Sequence, residues 1–201
     1  MLHIVNTRLQ VYLSREITSE QAGFVKGRGT REQLLTMRQI VEKAREFNIV
    51  LYVCFVDFRK AFDTIKWSKL WRALTEMGAP QHLVHLTRRL YEDGTAAVRV
   101  DGIDSERFKT QAGVRQGCIL SPLLFNIYTE YIMRMVLEDW DKGISVGGRK
   151  IFNLRYADDT TLPASTKDEI QTLLRCAMTK SSVEKLTKIW KDRRITRNTK
   201  V

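Results

Sequence analysis

The sequence predicts an α+β fold, and three observations carry that reading. Helix-like and strand-like segments are interleaved without regular βαβ alternation. A continuous apolar run, Ile49 to Val56, has the pattern of a strand buried on both faces and ends in Asp57. Two short apolar stretches, Ile151 to Leu154 and Thr160 to Leu162, flank Tyr156-Ala157-Asp158-Asp159, the pattern of a β-hairpin with carboxylates at its tip.

The elements follow in chain order. Leu2 to Ser14 reads as an amphipathic helix, and Gln21 to Gly29 as a glycine-punctuated basic loop. A helix begins at Thr30, with Gln33 completing a capping box and Leu34, Met37, Val41 and Ala44 supplying the buried stripe. After the Asp57 strand, Trp67, Leu70, Trp71 and Leu74 mark a helix stopped by Gly78. Pro80 opens the next helix at its first position, followed by Leu83, Leu86, Leu90 and Tyr91. Ala96 to Val100 is a strand, and Asp101-Gly102 turns it into Ser105–Thr110. Ser121-Pro122 reads as an N-cap and first turn ahead of Leu124, Ile127, Tyr128, Tyr131 and Met135. Beyond the acidic hairpin, Thr166 and Glu169 form a second capping box before Ile170, Leu173, Leu174 and Ala177. From Lys180 to Val201 the chain is strongly basic.

Composition narrows the partners. The 201 residues are 43 % hydrophobic and 28 % charged, which suits a globular chain. A net charge of +11 points to a polyanion or an anionic surface. No apolar run approaches the roughly 20 residues that span a bilayer, so no membrane partner is expected. The N-terminus lacks the charged-then-apolar order of a signal peptide. Cys54, Cys118 and Cys176 are odd in number and widely spaced, which suggests reduced thiols in an intracellular protein of nucleus or cytoplasm. His3, His82 and His85 form no zinc pattern.

Several constellations carry chemistry. Asp57, Asp158 and Asp159, gathered in one sheet, would offer three carboxylates to hard divalent cations. Two such cations roughly 3.5–4 Å apart clamp the attacking and leaving oxygens in phosphoryl transfer. Read alone, Asp57 is otherwise a solvated strand end or a partner of Arg59 or Lys60, and the paired acids are otherwise local turn formers. Phe62 is either a floor under a bound sugar or a core anchor, and Asp63 is a helix cap. In the loop from Ala112 to Pro122, Gly113 and Gly117 permit close approach to a ligand, and Arg115 and Gln116 offer donors. That loop is otherwise a plain connection to a capped helix. Lys26, Arg28 and Arg31 suit phosphate capture, or form a solvated basic turn.

Taken together and in order, these boxes resemble a family. Gln21-Ala22-Gly23-Phe24 with Gly27-Arg28, then Phe55-Val56-Asp57-Phe58-Arg59-Lys60-Ala61-Phe62-Asp63, then Gly113-Val114-Arg115-Gln116-Gly117-Cys118 with Leu120-Ser121-Pro122, then Tyr156-Ala157-Asp158-Asp159, are similar to the reverse transcriptase domain of LINE-type (non-LTR) retrotransposons. The likeness to group II intron reverse transcriptases is looser. The resemblance implies the fingers and palm of a right-hand polymerase, an antiparallel palm sheet with packed helices and no thumb. Residues 1–180 would form this domain and 181–201 a basic C-terminal tail.

The resemblance also implies the chemistry. Asp57 and Asp158 would hold two Mg2+ ions, with Mn2+ as a substitute, and Asp159 would support them. Phe62 would be the sugar gate. Arg28 and Arg115 would serve the incoming deoxynucleoside triphosphate, and Gln116-Gly117 would border the nascent base pair. Lys26, Arg31 and Ser121 are assigned to the nucleic-acid strand. The partners would be an RNA template and a DNA primer.

The chain departs from the pattern after the hairpin. No glycine follows Gly148, and Ser181 to Val201 matches no strand with a functional lysine. The expectation is therefore a palm sheet short of one edge strand and a chain without processive synthesis. A degenerate nucleic-acid binder without catalysis, and another two-metal enzyme such as a cyclase or nuclease, are the other classes.

Overall fold

The computed structural model describes residues 1–58, 60–138, 140–181 and 186–191. Arg59, offered above as a partner for Asp57, lies outside the described residues, as do Lys185, Arg193, Arg194, Arg197 and Lys200 of the basic tail. The chain divides into two compact units. The first comprises Met1–Ile17 and Lys60–Tyr131, the second Thr18–Arg59 and Ile132–Val201.

The first unit is mainly helical. In α1 (Leu2–Leu13), Val5, Leu9 and Leu13 recur every fourth residue and are buried, whereas Ile4 and Val11 face out. In α3 (Trp67–Glu76), Leu70, Trp71 and Leu74 are buried, and the helix stops before Gly78, whose φ of +84° suits glycine. Pro80 is the N-cap of α4 (Gln81–Glu92) rather than its first residue. Tyr91 of α4 is the hub of this unit, with the rings of Trp67 and Trp71 set edge-on to it at 6.0 and 5.9 Å.

The expected Ala96–Val100 strand is broken in two. β2 (Thr95–Ala96) and β3 (Arg99–Val100) are separate short strands. β3 turns through Asp101-Gly102, both at positive φ, into β4 (Ile103–Asp104), and β5 (Phe108–Lys109) returns to pair with β2. Isolated ribbons of two residues bury little, so Val100 and Ile103 remain exposed. The unit ends part-way along α5 (Ser121–Leu137), where Leu124, Ile127, Tyr128 and Tyr131 are buried as expected.

The second unit holds the sheet. Helix α2 (Thr30–Glu46) does begin at Thr30, but its capping differs from the expectation. Gly29 is the N-cap, and Glu32 accepts its backbone N–H at 2.8 Å. Gln33 donates to the Glu20 carbonyl instead. The buried stripe is shifted too. Leu34 is 69 % exposed, and Ile40 and Ala44 point inward with Met37 and Val41 beside them. They pack with Leu51, Val53, Ile144, Ile151 and Leu154.

Strand β1 (Tyr52–Phe58) starts later than the apolar run. Ile49 and Val50 are exposed, and Phe55 is 45 % exposed, so this strand is not covered on both faces along its length. The chain continues through the hairpin β6 (Ile144–Val146) and β7 (Arg149–Ile151), then β8 (Leu154–Tyr156) and β9 (Asp159–Ala164). In α6 (Lys167–Ser181), the Thr166–Glu169 capping box forms in both directions. The expected gap at the sheet edge is filled. β10 (Leu186–Lys191) pairs antiparallel with β1 and completes the order β10-β1-β9-β8. The strand needs no glycine, because it joins an edge through backbone pairing alone.

Candidate active site

The acidic residues come together in the second unit through sheet register. β1 and β9 pair as Phe55↔Thr161 and Val56↔Thr160. Continued by one residue, that register sets Asp57 opposite Asp159, on the face of the sheet where Phe55 is exposed. Against β10, the pairing of β1 slips between Asp57 and Phe58, an irregularity that re-aims the side chains around it. β8 and β9 close as a hairpin with Tyr156 paired to Asp159, so Ala157 and Asp158 form the tip. Asp57 and Asp159 are exposed and Asp158 is half-buried.

Electrostatics bear out the crowding. Partial burial, then the neighbouring charges of Asp158 and Asp57, raise the Asp159 carboxyl above its ordinary range. A cation among these acids relieves that cost, and carboxylate oxygens are the donors magnesium takes. Among the described residues, no group of three or more His, Cys, Asp or Glu side chains is placed to hold a metal ion. Magnesium sites of this kind usually use one or two carboxylates and fill the rest with water and substrate phosphate. One or two of these carboxylates, with water and phosphate, are what the site would offer a hard divalent ion.

The raised Asp159 carboxyl has a consequence for stability. A carboxylate with a folded pKa above its unfolded one loses stabilising value as pH rises through that interval. Asp159→Asn should thus stabilise the metal-free protein at pH 7, by at most about 0.5–1 kcal/mol given its exposure to solvent. The gain should vanish near about pH 3, where the carboxyl is protonated in both states. Thermal melts at the two pH values check this.

The hairpin tip is held by the loop that the sequence marked as basic. Gln21 is fully buried and forms a parallel bridge to Arg155 of β8. The Ala22 N–H donates to the Arg155 carbonyl at 2.9 Å, and the Arg155 N–H to the Glu20 carbonyl at 2.8 Å. The Gln21 side-chain oxygen accepts the N–H of Ala157 at 3.0 Å and of Gly23 at 2.8 Å, and its Nε2 donates to the Ala157 carbonyl at 3.2 Å. Ala157 sits at φ +57°, an uncommon conformation for a residue with a Cβ.

Around this core, Arg28 Nη1 donates to the carbonyls of Thr18 and Gln21, at 2.5 and 2.9 Å, so its guanidinium braces the loop. Arg155 is buried and donates to the Thr18 hydroxyl. Burial opposes the charge on Glu20, yet hydrogen bonds from its own amide, Thr18 and Arg149 hold its carboxyl below the usual range. Lys26 and Arg31 are exposed.

The first unit joins the other two boxes. The Val114 N–H donates to the Phe62 carbonyl at 2.8 Å and the Gly113 N–H to the Ile65 carbonyl at 2.9 Å. Gly113 has φ +86°, and a Cβ there would lie 2.9 Å from the Asp63 carbonyl oxygen. Gln116 donates to Asp63 at 3.3 Å, and Trp67 Nε1 to the Gly113 carbonyl at 2.8 Å. Asp63 therefore receives Gln116 instead of capping a helix; Lys66 is the N-cap of α3.

Arg115 lies over the Tyr91 ring at 5.4 Å and donates to the Leu90 carbonyl. Arg115, Tyr91, Gly113 and Gln116 edge an open cleft of about 330 Å³, and Gly117, exposed at φ +80°, follows them in the chain. Phe62 is half-buried and stacks on Phe125, centroids 4.5 Å apart and planes within 3°. Ser121 is itself the first residue of α5. Its hydroxyl donates to the Arg115 carbonyl at 2.6 Å, and at 1 % exposure it shapes the loop from within.

Sequence reasoning placed Gln21 and Gly23 in the first family box without giving either a role, and did not single out Arg155. The available signal was that box itself, in a loop whose individual residues were read for their charge.

Comparisons with known proteins identify the family and the fold. The family model of reverse transcriptase (RNA-dependent DNA polymerase) matches residues 1–190. A retrovirus-related Pol polyprotein from a type-2 retrotransposable element of Drosophila melanogaster is 29 % identical over 171 residues, 85 % of this chain and 16 % of that protein. The RNA-directed DNA polymerase from the mobile element jockey of Drosophila funebris is 31 % identical over 147 residues, 73 % of this chain and 15 % of that protein. The chain thus spans about a sixth of the length of these curated relatives.

Among solved structures, telomerase from Candida albicans in complex with a fragment of telomeric RNA superposes with a TM-score of 0.71. The identity is 14 %, over 100 % of this chain and 35 % of that one. Apo telomerase from Candida tropicalis, truncated from its C-terminal domain, gives 0.68 at 18 % identity, over 90 % and 38 %. The α+β polymerase fold expected from the sequence is therefore present. Among the described residues, no helix is long and apolar enough to cross a membrane. This chain belongs to the reverse transcriptase (RNA-dependent DNA polymerase) family, as a domain of the LINE-type, non-LTR retrotransposon kind.

Proposed function

We propose that this domain performs RNA-templated addition of deoxynucleotides to a DNA primer. The observation that supports it most is the register that sets Asp57 opposite Asp159, with Asp158 at the adjoining tip. In the reaction the primer 3′-hydroxyl oxygen bonds to the α-phosphorus of the triphosphate, the bond to the pyrophosphate oxygen breaks, and the hydroxyl proton passes to solvent. Divalent ions, two Mg2+ or two Mn2+, supply charge stabilisation at the attacking and leaving oxygens. Asp57 and Asp158 would hold them, and Asp159 would add negative field.

The other residues position substrates. Gln116 and Gly117 serve the nascent pair, and Arg115 presents a cation toward phosphate from its seat on Tyr91. Arg28 serves the triphosphate from its loop, while Lys26 and Arg31 contact the strand backbone. Ser121 acts through the loop it braces. Phe62, held by its stack on Phe125, limits the sugar. The test is single-nucleotide extension of a primed RNA template by the purified chain with Mg2+ or Mn2+. Extension that depends on template base and metal supports the proposal. Tight template binding with no extension under either metal would leave the non-catalytic reading.

In the same assay Phe62→Ala should raise ribonucleotide incorporation relative to deoxyribonucleotide by about tenfold or more, or about 1.4 kcal/mol of discrimination. Unchanged sugar selectivity would leave Phe62 as a packing residue only.

Nucleic-acid binding should be non-specific and steeply salt-dependent. With four phosphates contacted and about 0.7 of log–log slope for each on a single strand, affinity should fall about 50-fold between 50 and 200 mM salt. Fluorescence anisotropy on a labelled single-stranded RNA gives the slope, and a flat profile would contradict this footprint.

A further inference from the structure

We propose that Gln21 is a positioning residue for the acidic hairpin: its carboxamide grips both backbone polar groups of Ala157 and so sets the aim of Asp158 and Asp159. The inference rests on the metal-binding reading above and adds a residue to it that touches no substrate.

The geometry is specific to a carboxamide. One oxygen accepts two N–H groups, from Ala157 and Gly23, while the Nε2 donates to the Ala157 carbonyl. A carboxamide carries an acceptor oxygen and a donor nitrogen on adjacent positions of one planar group, and Gln is one methylene longer than Asn. The group is fully buried, so each of these bonds is made without competing water.

What the clamp holds is a tip that would not hold itself. Ala157 is kept at φ +57°, where a Gly or Asn would rest more easily. The next two residues are acids that repel each other and Asp57. A two-residue tip under such repulsion would rock about its ladder end, and both carboxylates would move with it. Gly23 closes the other side: a Cβ there would lie 2.6 Å from the Ala157 Cα, so loop and tip are in backbone contact. Two elements distant in sequence thus meet on one alanine, and no charge from the loop is spent in doing so.

Two measurements on the full chain test this. The first is amide hydrogen exchange followed by NMR on the metal-free protein. In Gln21→Ala, the amides of Ala157 and Gly23 should exchange at least tenfold faster than in wild type, while those of Thr161 and Leu162 in the β1–β9 ladder keep their protection. Unchanged exchange at Ala157 would overturn the clamp, and loss of protection across the ladder would reduce Gln21 to a general fold residue.

The second is Mn2+ binding followed by electron paramagnetic resonance, with Asp158→Asn as reference. Wild type should bind Mn2+ in a manner lost in Asp158→Asn. Gln21→Ala should weaken binding at least tenfold and increase the water coordinated to the bound ion. Gln21→Glu, which keeps the acceptor but loses the donor, should fall between. Equal Mn2+ affinity and hydration in wild type and Gln21→Ala would overturn the positioning role. Absence of any Asp158-dependent Mn2+ binding in wild type would overturn the metal reading, and the positioning role with it. The exchange result would still say whether the grip exists.

Discussion

Replacing Asp158 by Asn should lower single-nucleotide addition by about a thousandfold or more, equivalent to about 4 kcal/mol of transition-state stabilisation. Asn keeps the volume and one oxygen of the side chain but loses the charge that holds a divalent ion. Asp57→Asn should cost a similar factor, because it removes the acid on the neighbouring strand. Asp159→Asn should cost less, about tenfold to a hundredfold, since this acid supports the ions that the other two would hold. The order of the three rates is the informative result. Equal and small losses, within about threefold, would show that these acids only shape a turn. Raising Mn2+ should recover part of the Asp159→Asn loss and little of the Asp158→Asn loss.

Gly23→Ala should be the most damaging conservative change in the second unit. The added methyl group would meet the backbone and Cβ of Ala157, not the mobile end of a side chain. Neither side can yield cheaply, because Ala22 and Arg155 are joined by a backbone hydrogen bond beside the contact. Overpacking costs typically about 1–3 kcal/mol, and backbone contact belongs at the upper end. At about 2–4 °C per kcal/mol for a chain this long, the thermal midpoint should fall by about 6–12 °C. Gly27→Ala is the control. Gly27 sits at φ +78° with nothing within 4 Å of a built Cβ, so it carries only the conformational cost of about 1–2 kcal/mol. A Gly23→Ala variant no less stable than Gly27→Ala would show that the loop and hairpin are not in close contact.

The sequence by itself determined the class of chemistry and most of the elements. Asp57 after an apolar run, and Asp158-Asp159 between two short strands, were legible because short apolar runs read as strands and a turn attracts acids. The Thr166–Glu169 capping box was legible because it is local: both partners lie within one helical turn. Local rules failed where tertiary packing chose between equivalent options. Leu34 matched the helical stripe but stays exposed, because the cluster around Leu51, Val53 and Leu154 engages α2 through Ile40 and Ala44.

Only the tertiary structure decided the rest. The edge strand Leu186–Lys191 has no recognisable motif, since pairing to β1 uses backbone groups that every residue carries. The partner of Gln116 is Asp63, more than fifty positions away. The most consequential case is Gln21, whose partner, Ala157, is 136 residues distant. No periodicity or spacing encodes such a contact. Alanine announces nothing, and what Gln21 recognises is its main chain, whose position exists only after β8 and β9 have folded.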